Sequence, residues 1–340
     1  FASPGESAPE LSGELAKVRA ALPEKARVAP RVPRKVLVFS LARGYVHASI
    51  PLGEKTIQFM GEKTGAFETV LSRDPESFRP ENLRQFDAVI MNSISGEPFT
   101  DPELRESLRR FVQDEGKGLV GIHGATTAFR EWPEYGNMIG AYFNTHPWTA
   151  GTTVTLKVEE PDHPLCAAFP ERNMTLVEEI YQFHPRPYSR SRLRVLVSLD
   201  TERTDMSIKG IDRFDNDFPV SWVQTCGKGR VFYSSLGHNF HIYSNPVILQ
   251  HFLDGIQFAL GDLPAPAEPR RDVAQEILIR ALPSRLDAVT GYTWGADRTA
   301  LTHLDHLVHE ATLYPATRAH FAREIGARLQ KEAAESNSTE

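Results

Sequence analysis

An α/β fold, built as a doubly wound and mostly parallel sheet with a helical appendage at its C-terminal end, is what this sequence predicts. Three observations carry the prediction. Short continuous apolar runs recur at Val36-Leu37-Val38-Phe39, Phe86-Asp87-Ala88-Val89-Ile90-Met91 and Leu119-Val120-Gly121-Ile122, and runs of this length suit strands buried on both faces. Amphipathic segments separate them, which implies right-handed crossovers between parallel strands. A proline-rich stretch, Pro264-Ala265-Pro266-Ala267-Glu268-Pro269, then sets off the last part of the chain as a linker followed by helices.

Taken in order, residues 1–34 form an N-terminal lead-in, with a short helix expected over 10–21. The prolines of Ala29-Pro30-Arg31-Val32-Pro33 then oppose regular structure. Residues 35–263 form the expected main domain. Its best-signalled helix has Asp101 as N-cap and Pro102 in the first turn, with Leu104, Leu108, Phe111 and Val112 on one face and Gly116 to end it. From Thr152 to about Ser235 the texture is strand-rich: Thr153–Val158 alternates with period two, and Arg230-Val231-Phe232-Tyr233 follows a Gly227-Lys228-Gly229 turn. Asn245-Pro246 opens a helix carrying Ile248, Leu249, Phe252, Leu253 and Ile256, which Gly261 can end.

The remaining span, 264–340, is the linker and helical extension, with helices expected at about 271–282, 297–312 and 316–333. Leu301, Leu304, Leu307 and Leu313 supply apolar faces but no convergent polar set, so this part is expected to pack on the domain or on a partner subunit. His303, His306 and His309 recur every third residue. A three-residue step drifts around a 3.6-residue helix, so they read as a partly exposed face rather than a metal stripe.

Composition narrows the function classes. Of 340 residues, 41% are hydrophobic and 24% charged, enough apolar surface for a folded core. The formal net charge is −6 and no dense Lys/Arg run occurs, which argues against nucleic acid or an anionic membrane as partner. A small, neutral or weakly charged ligand fits better; a homo-oligomer stays open. No apolar stretch nears the roughly 20 residues that a bilayer span needs, so the chain reads as soluble. Cys166 and Cys226 lack C-x-x-C spacing, so two buried thiols are expected rather than a disulfide framework or a cysteine-rich zinc site. Phe1 in first place is expected of a processed or trimmed chain, and the compartment stays open between cytoplasm, periplasm and secretion.

The chemistry centres on Gly118-Leu119-Val120-Gly121-Ile122-His123-Gly124-Ala125-Thr126-Thr127, an apolar strand running into small residues and an expected helix. Open α/β sheets bind ligands beyond the carboxyl ends of their strands, and His123 stands at such an end. Small neighbours let a ligand approach the backbone, and a helix N-terminus would favour negative charge there. A nucleophile elbow would show G-x-S-x-G or its cysteine equivalent. Histidine in that place disfavours acyl-enzyme chemistry.

The segment Arg43-Gly44-Tyr45-Val46-His47-Ala48-Ser49-Ile50 resembles the Arg-His-x-Ser-Ile signature of the trehalose-utilisation (ThuA-like) family, with a longer spacing between Arg43 and His47. The His123 segment resembles that family's strand-to-helix histidine motif. Trp132-Pro133-Glu134-Tyr135, Gly140–Pro147, Asp162-His163-Pro164, Glu178–Phe183, Pro219–Trp222 and Gly227–Tyr233 with Leu236-Gly237-His238 follow in the family's order. The resemblance covers about residues 35–261. It implies a class I glutamine amidotransferase-like, flavodoxin-like fold and a link to carbohydrate catabolism, and no nucleotide cofactor is expected.

Four matched positions, His47, His123, Glu179 and His238, are expected to converge in one cleft. Three imidazoles and a carboxylate suit Zn²⁺ or another first-row divalent ion with one position left for water or substrate. Equally, His123, Glu179 and His47 can be metal-free acids and bases, because imidazole titrates near neutrality. Tyr142 and Tyr181 can hydrogen-bond sugar hydroxyls, His146 can contact substrate, and Trp222 or Trp132 can stack on a sugar ring; core packing is the alternative for each. Glu178 and Glu179 adjoin on an expected strand, which sends their side chains to opposite faces, and Glu179 is taken as the site member. His163, His184, His241 and His251 read as structural.

Three functions compete. The first is an enzyme acting by elimination, hydrolysis or isomerisation on an oxidised sugar such as a 3-keto-glycoside, where a base removes the acidic proton beside the ketone. A non-catalytic sugar-binding or interaction module is the second. The third, an amidotransferase-type hydrolase, rests on fold alone, and neither cysteine lies at the elbow-like turn.

Overall fold

The computed structural model describes residues 11–213, 215–289 and 314–337, together with residues 305, 308, 309 and 311. Among the described residues eleven strands are present: β1 (Lys35–Phe39), β2 (Glu68–Ser72), β3 (Ala88–Asn92), β4 (Gly118–Ile122), β5 (Phe143–Trp148), β6 (Thr153–Val158), β7 (Asn173–Val177), β8 (Ile180–Phe183), β9 (Arg194–Leu199), β10 (Pro219–Cys226) and β11 (Gly229–Ser234). Nine of them form one sheet in the order β2-β1-β3-β4-β11-β10-β9-β6-β7, and β5 pairs with β8 apart from it. The half from β2 to β11 is parallel. Beyond β11 the strands run antiparallel. The long strand-rich span therefore extends the same sheet, as the alternation in Thr153–Val158 suggested.

Period-two geometry explains why the parallel strands are apolar throughout, since successive side chains go to opposite faces and both faces are covered. Val36, Val38, Ile90, Val120 and Phe232 pack on one side with α2 (Ile50–Thr64) and α6 (Pro246–Ala259). Leu37, Val89, Met91, Leu119 and Val231 pack on the other with α3 (Pro80–Leu83), α4 (Pro102–Gln113) and α5 (Pro133–Ile139). A glycine is required at 118, because a Cβ there would lie 2.6 Å from the carbonyl oxygen of Ala259 on α6.

The helix caps read from sequence are in place. The Asp101 carboxylate accepts from the Glu103 N–H at 2.8 Å, and the Asn245 side chain accepts from Val247 and Ile248 at the start of α6. The lead-in begins as α1 (Leu11–Ala21) and then runs along α6. Arg27 Nε donates to Asp254 at 2.9 Å, and Arg34 pairs with Asp262 at 2.6 Å.

After α6 the linker is tied down, with the Pro266 carbonyl accepting from His163 Nε2 at 2.9 Å and Ala267 buried. α7 (Arg271–Val289) runs past its expected end at 282, straight through Pro283. With Pro315–Asn337, here α8, it shares a small separate core of Leu278, Leu282, Ala311 and Phe321. Most of the helix expected at 297–312 lies outside the described residues, including His303, His306 and the leucines 301, 304 and 307, as does Leu313 beyond it; His309 is exposed. Both cysteines are free thiols, Cys166 buried and Cys226 half-buried. No helix among the described residues is long and apolar enough to cross a membrane.

Candidate functional site

The parallel half of the sheet ends on one level. Ser93, just past β3, and His123, just past β4, both take left-handed backbone with φ of 49° and 48°. Such conformations in residues other than glycine cost of order 1–3 kcal/mol and persist where the surroundings over-determine them. At His123 they do: its carbonyl accepts from Tyr233 Oη at 2.7 Å, and its Nδ1 lies 2.7 Å from the Ser235 carbonyl. The segment after His123 is a single 3-10 turn over His123–Thr127, not the helix expected there, so it brings no helix N-terminus to the site. This is the elbow geometry with an imidazole where a nucleophile would stand.

A carbonyl only accepts, so His123 carries its proton on Nδ1 and turns the Nε2 lone pair inward. That lone pair faces Tyr181 Oη at 2.9 Å and His47 Nε2 at 3.0 Å. His47 comes from the loop after β1, and His238 from the loop after β11. The latter loop is fastened by the Ser49 hydroxyl, which donates to the Gly237 carbonyl at 2.8 Å. Gly237 has a φ of 132°, and a Cβ there would meet Tyr243 Oη at 2.8 Å.

Glu179 closes the group. Its carboxylate lies 3.8 Å from His123 Nε2, 3.5 Å from His238 Nδ1 and 3.5 Å from His146 Nδ1. The two adjoining glutamates occupy the break between β7 and β8 rather than a strand, yet they still point apart. Glu178 is fully buried and aims at backbone N–H groups of residues 237–239. Burial pushes its carboxyl up to about 7, against the pull of those N–H donors.

Burial also sets the charge state of the imidazoles. It holds His47 down at about 4, with His238 adding to the effect and Glu179 opposing it. His123 lies well below the ordinary range, again through burial first and the neighbouring histidines second. Both are neutral at pH 7, the form that ligates a metal or accepts a proton.

The ligand atoms of His47, His123, Glu179 and His238 all lie within 4.8 Å of one another. Around a first-row ion with bonds of roughly 2.0–2.1 Å and one further position left for water or substrate, neighbouring ligand atoms stand about 3–4 Å apart. The donor set fits such an ion in a second way. The single lone pair of His123 Nε2 is approached by both Tyr181 and His47, and a cation held by the two imidazoles would relieve that crowding. The carbonyl behind His123 Nδ1 is the support that metal-bound histidines ordinarily have.

The group lies beside a cavity of about 390 Å³, whose walls include Tyr45, Ser95, Gly96, Thr127, Arg130, Phe143, His146 and Tyr181 as well as His47, Glu179 and His238. Of the expected substrate contacts, His146 and Tyr181 line it. Tyr142 and Trp222 do not, and substrate contact is withdrawn for both. The Tyr142 hydroxyl is used by the backbone, donating to the Phe129 and Trp132 carbonyls at 2.8 and 2.6 Å. Trp222 is fully buried, donates to the Ile139 carbonyl at 2.9 Å and stacks on Tyr233. Trp132 is likewise buried.

Sequence reasoning passed over Tyr45 and Phe143. Tyr45 stands half exposed, its ring edge-on to His47 with centroids 4.6 Å apart. Phe143 lies 4.5 Å from Tyr181, centroid to centroid. Both sit inside the motif blocks, but Tyr45 in a loop and Phe143 at the start of a short, irregular strand carry no periodicity to mark them. His163 and His251 bond to backbone carbonyls of Pro266 and Leu165, and His241 to that of Val177; His184 lies 3.4 Å from Arg130.

An open parallel α/β sheet with a histidine at the elbow and a His/Glu group beside it defines the class. The family model described as ThuA, trehalose utilisation, matches residues 35–259, and the chain belongs to that family. Solved structures agree at the level of fold. A protein described as ThuA-like from Bacteroides uniformis is 20% identical, covers 68% of this chain and 93% of its own, and superposes with a TM-score of 0.53. Another from Parabacteroides merdae is 15% identical, covers 71% of this chain and 99% of its own, with a TM-score of 0.50. No curated protein matches the chain.

Proposed function

We propose that the protein is an enzyme acting on an oxidised sugar, a 3-keto-glycoside or a close relative, by acid/base chemistry assisted by a divalent metal. The convergence of His47, His123, Glu179 and His238 beside one cavity at the carboxyl ends of the parallel strands carries this reading, together with the carbohydrate context of the family. When held by these four side chains, a divalent ion would supply polarisation of the sugar carbonyl.

The chain's own groups supply the rest. A ketone acidifies the C–H bond beside it, and elimination or isomerisation starts with removal of that proton. Glu179, whose Oε2 turns toward His146, is placed to take it, and His146 is placed to pass it on. The Tyr181 hydroxyl, deep in the same wall, can donate to an oxygen that gains negative charge. Tyr45 and Phe143 give the wall aromatic surface suited to the C–H face of a sugar.

The test is incubation of the full chain with 3-keto-trehalose and with 3-keto-glucosides, with and without Zn²⁺, Mn²⁺ or Co²⁺, followed by product analysis. Metal-dependent turnover is expected. No product under any condition would overturn the proposal, and turnover indifferent to metal and chelator would leave the acid/base chemistry without the ion.

A further inference from the structure

We propose that Glu178 is a positioning residue for this site: its carboxylate, cradled by successive backbone N–H groups, sets the loop that carries both His238 and the carbonyl orienting His123. The inference rests on the site proposed above. Glu178 Oε1 accepts from the N–H of Gly237 at 3.1 Å and of His238 at 2.6 Å, and Oε2 accepts from Asn239 at 3.1 Å. Its side chain is fully buried, and among the described residues no lysine or arginine pairs with it.

A buried carboxylate costs several kcal/mol unless its lone pairs are satisfied, and a nest of consecutive N–H groups satisfies them. The loop gains in turn. The amide groups of residues 237–239 are fixed toward one carboxylate, which holds the loop that carries His238. The Asn239 side chain extends the fixing by donating to the Ala150 carbonyl at 2.8 Å.

The two neighbouring glutamates thus divide the work. Glu179 enters the cluster directly, whereas Glu178 reaches behind it to the backbone of another cluster member. A displacement of the 178–179 segment would move Glu179 and His238 together, which preserves their 3.5 Å relation.

The experiment uses the full chain with Co²⁺ alone as probe, comparing wild type, Glu178→Gln, His238→Ala and the double variant. Glutamine keeps the volume but turns an NH₂ group toward an N–H donor. Co²⁺ affinity in Glu178→Gln is expected to fall about 10–100-fold, the usual effect of losing a support behind a ligand. Its visible spectrum should shift toward that of His238→Ala, and the double variant should bind no more weakly than His238→Ala. Additive losses, or a wild-type spectrum in a folded Glu178→Gln, would overturn the proposal. If the wild type takes up no Co²⁺, the metal reading falls separately. Amide exchange at residues 237–239 and the His238 ring resonances then decide: both altered in Glu178→Gln supports positioning, and both unchanged refutes it.

Discussion

His123 concentrates several constraints on one side chain: a left-handed backbone, a fixed tautomer and a neutral charge state. His123→Ala is expected to lower metal affinity and turnover by at least about 100-fold, as loss of a ligand or base does. Global stability should fall by about 2–4 kcal/mol, since the bond to the Ser235 carbonyl and the bond from Tyr181 both go and leave buried polar partners. Metal titration and thermal melting of the same preparation check both halves. Trp222 makes the contrast. Trp222→Ala empties a fully buried site and should cost about 3–5 kcal/mol, read by denaturant unfolding, whereas His146→Ala should leave stability alone and lower kcat, as loss of a proton relay does. The four candidate ligands were legible because they fall in ordered motif blocks. Tyr142 and Trp222 misled because an aromatic residue's polar atom can be satisfied by a carbonyl as well as by a sugar, and sequence does not say which.

At the scale of elements, legibility followed the strength of local signals. α4 and α6 stood out because a cap, a proline and a one-sided apolar face agree at each. The ribbon of β5 and β8, which brings His146 and Tyr181 to the cavity, has two register irregularities and too few residues for a period to emerge. The turn after His123 was misread because small residues suit a tight turn and a helix start equally well. The helical extension is an element-scale prediction: truncation after Leu263 should lower stability or change oligomeric state yet retain turnover, because its core is separate from those of the sheet. Sedimentation and a 3-keto-glucoside assay on the truncated chain measure this. Complete loss of activity in a folded truncation would show that the extension reaches the site.

For the whole molecule, pH dependence follows from buried imidazoles. Burial holds His251, like His47, at about 4 in the folded state, below the ordinary 6.5. As pH falls through 6.5 the unfolded chain takes up these protons first, so stability is full above about 6.5 and drains away down to about 4. His251→Gln should flatten that slope by up to about 3 kcal/mol, measured as melting midpoints from pH 7 to pH 4. An unchanged slope would mean that His251 is not held neutral in the fold. Divalent metal should act in the opposite direction, raising stability by about 2.7 kcal/mol at a hundredfold excess over Kd, reversibly with chelator.

The position of β11 has a consequence for the chain as it is made. It lies between β4 and β10 in space, yet it is the last strand of the sheet in sequence. Until residues 229–234 emerge from the ribosome, the sheet exists as two unjoined pieces, one parallel and one antiparallel, each ending in an open edge. Open apolar edges recruit other chains, so the nascent protein is most vulnerable to aggregation just before this strand arrives. Because His238 follows the same strand, the four side chains of the cluster cannot come together before that strand has been made.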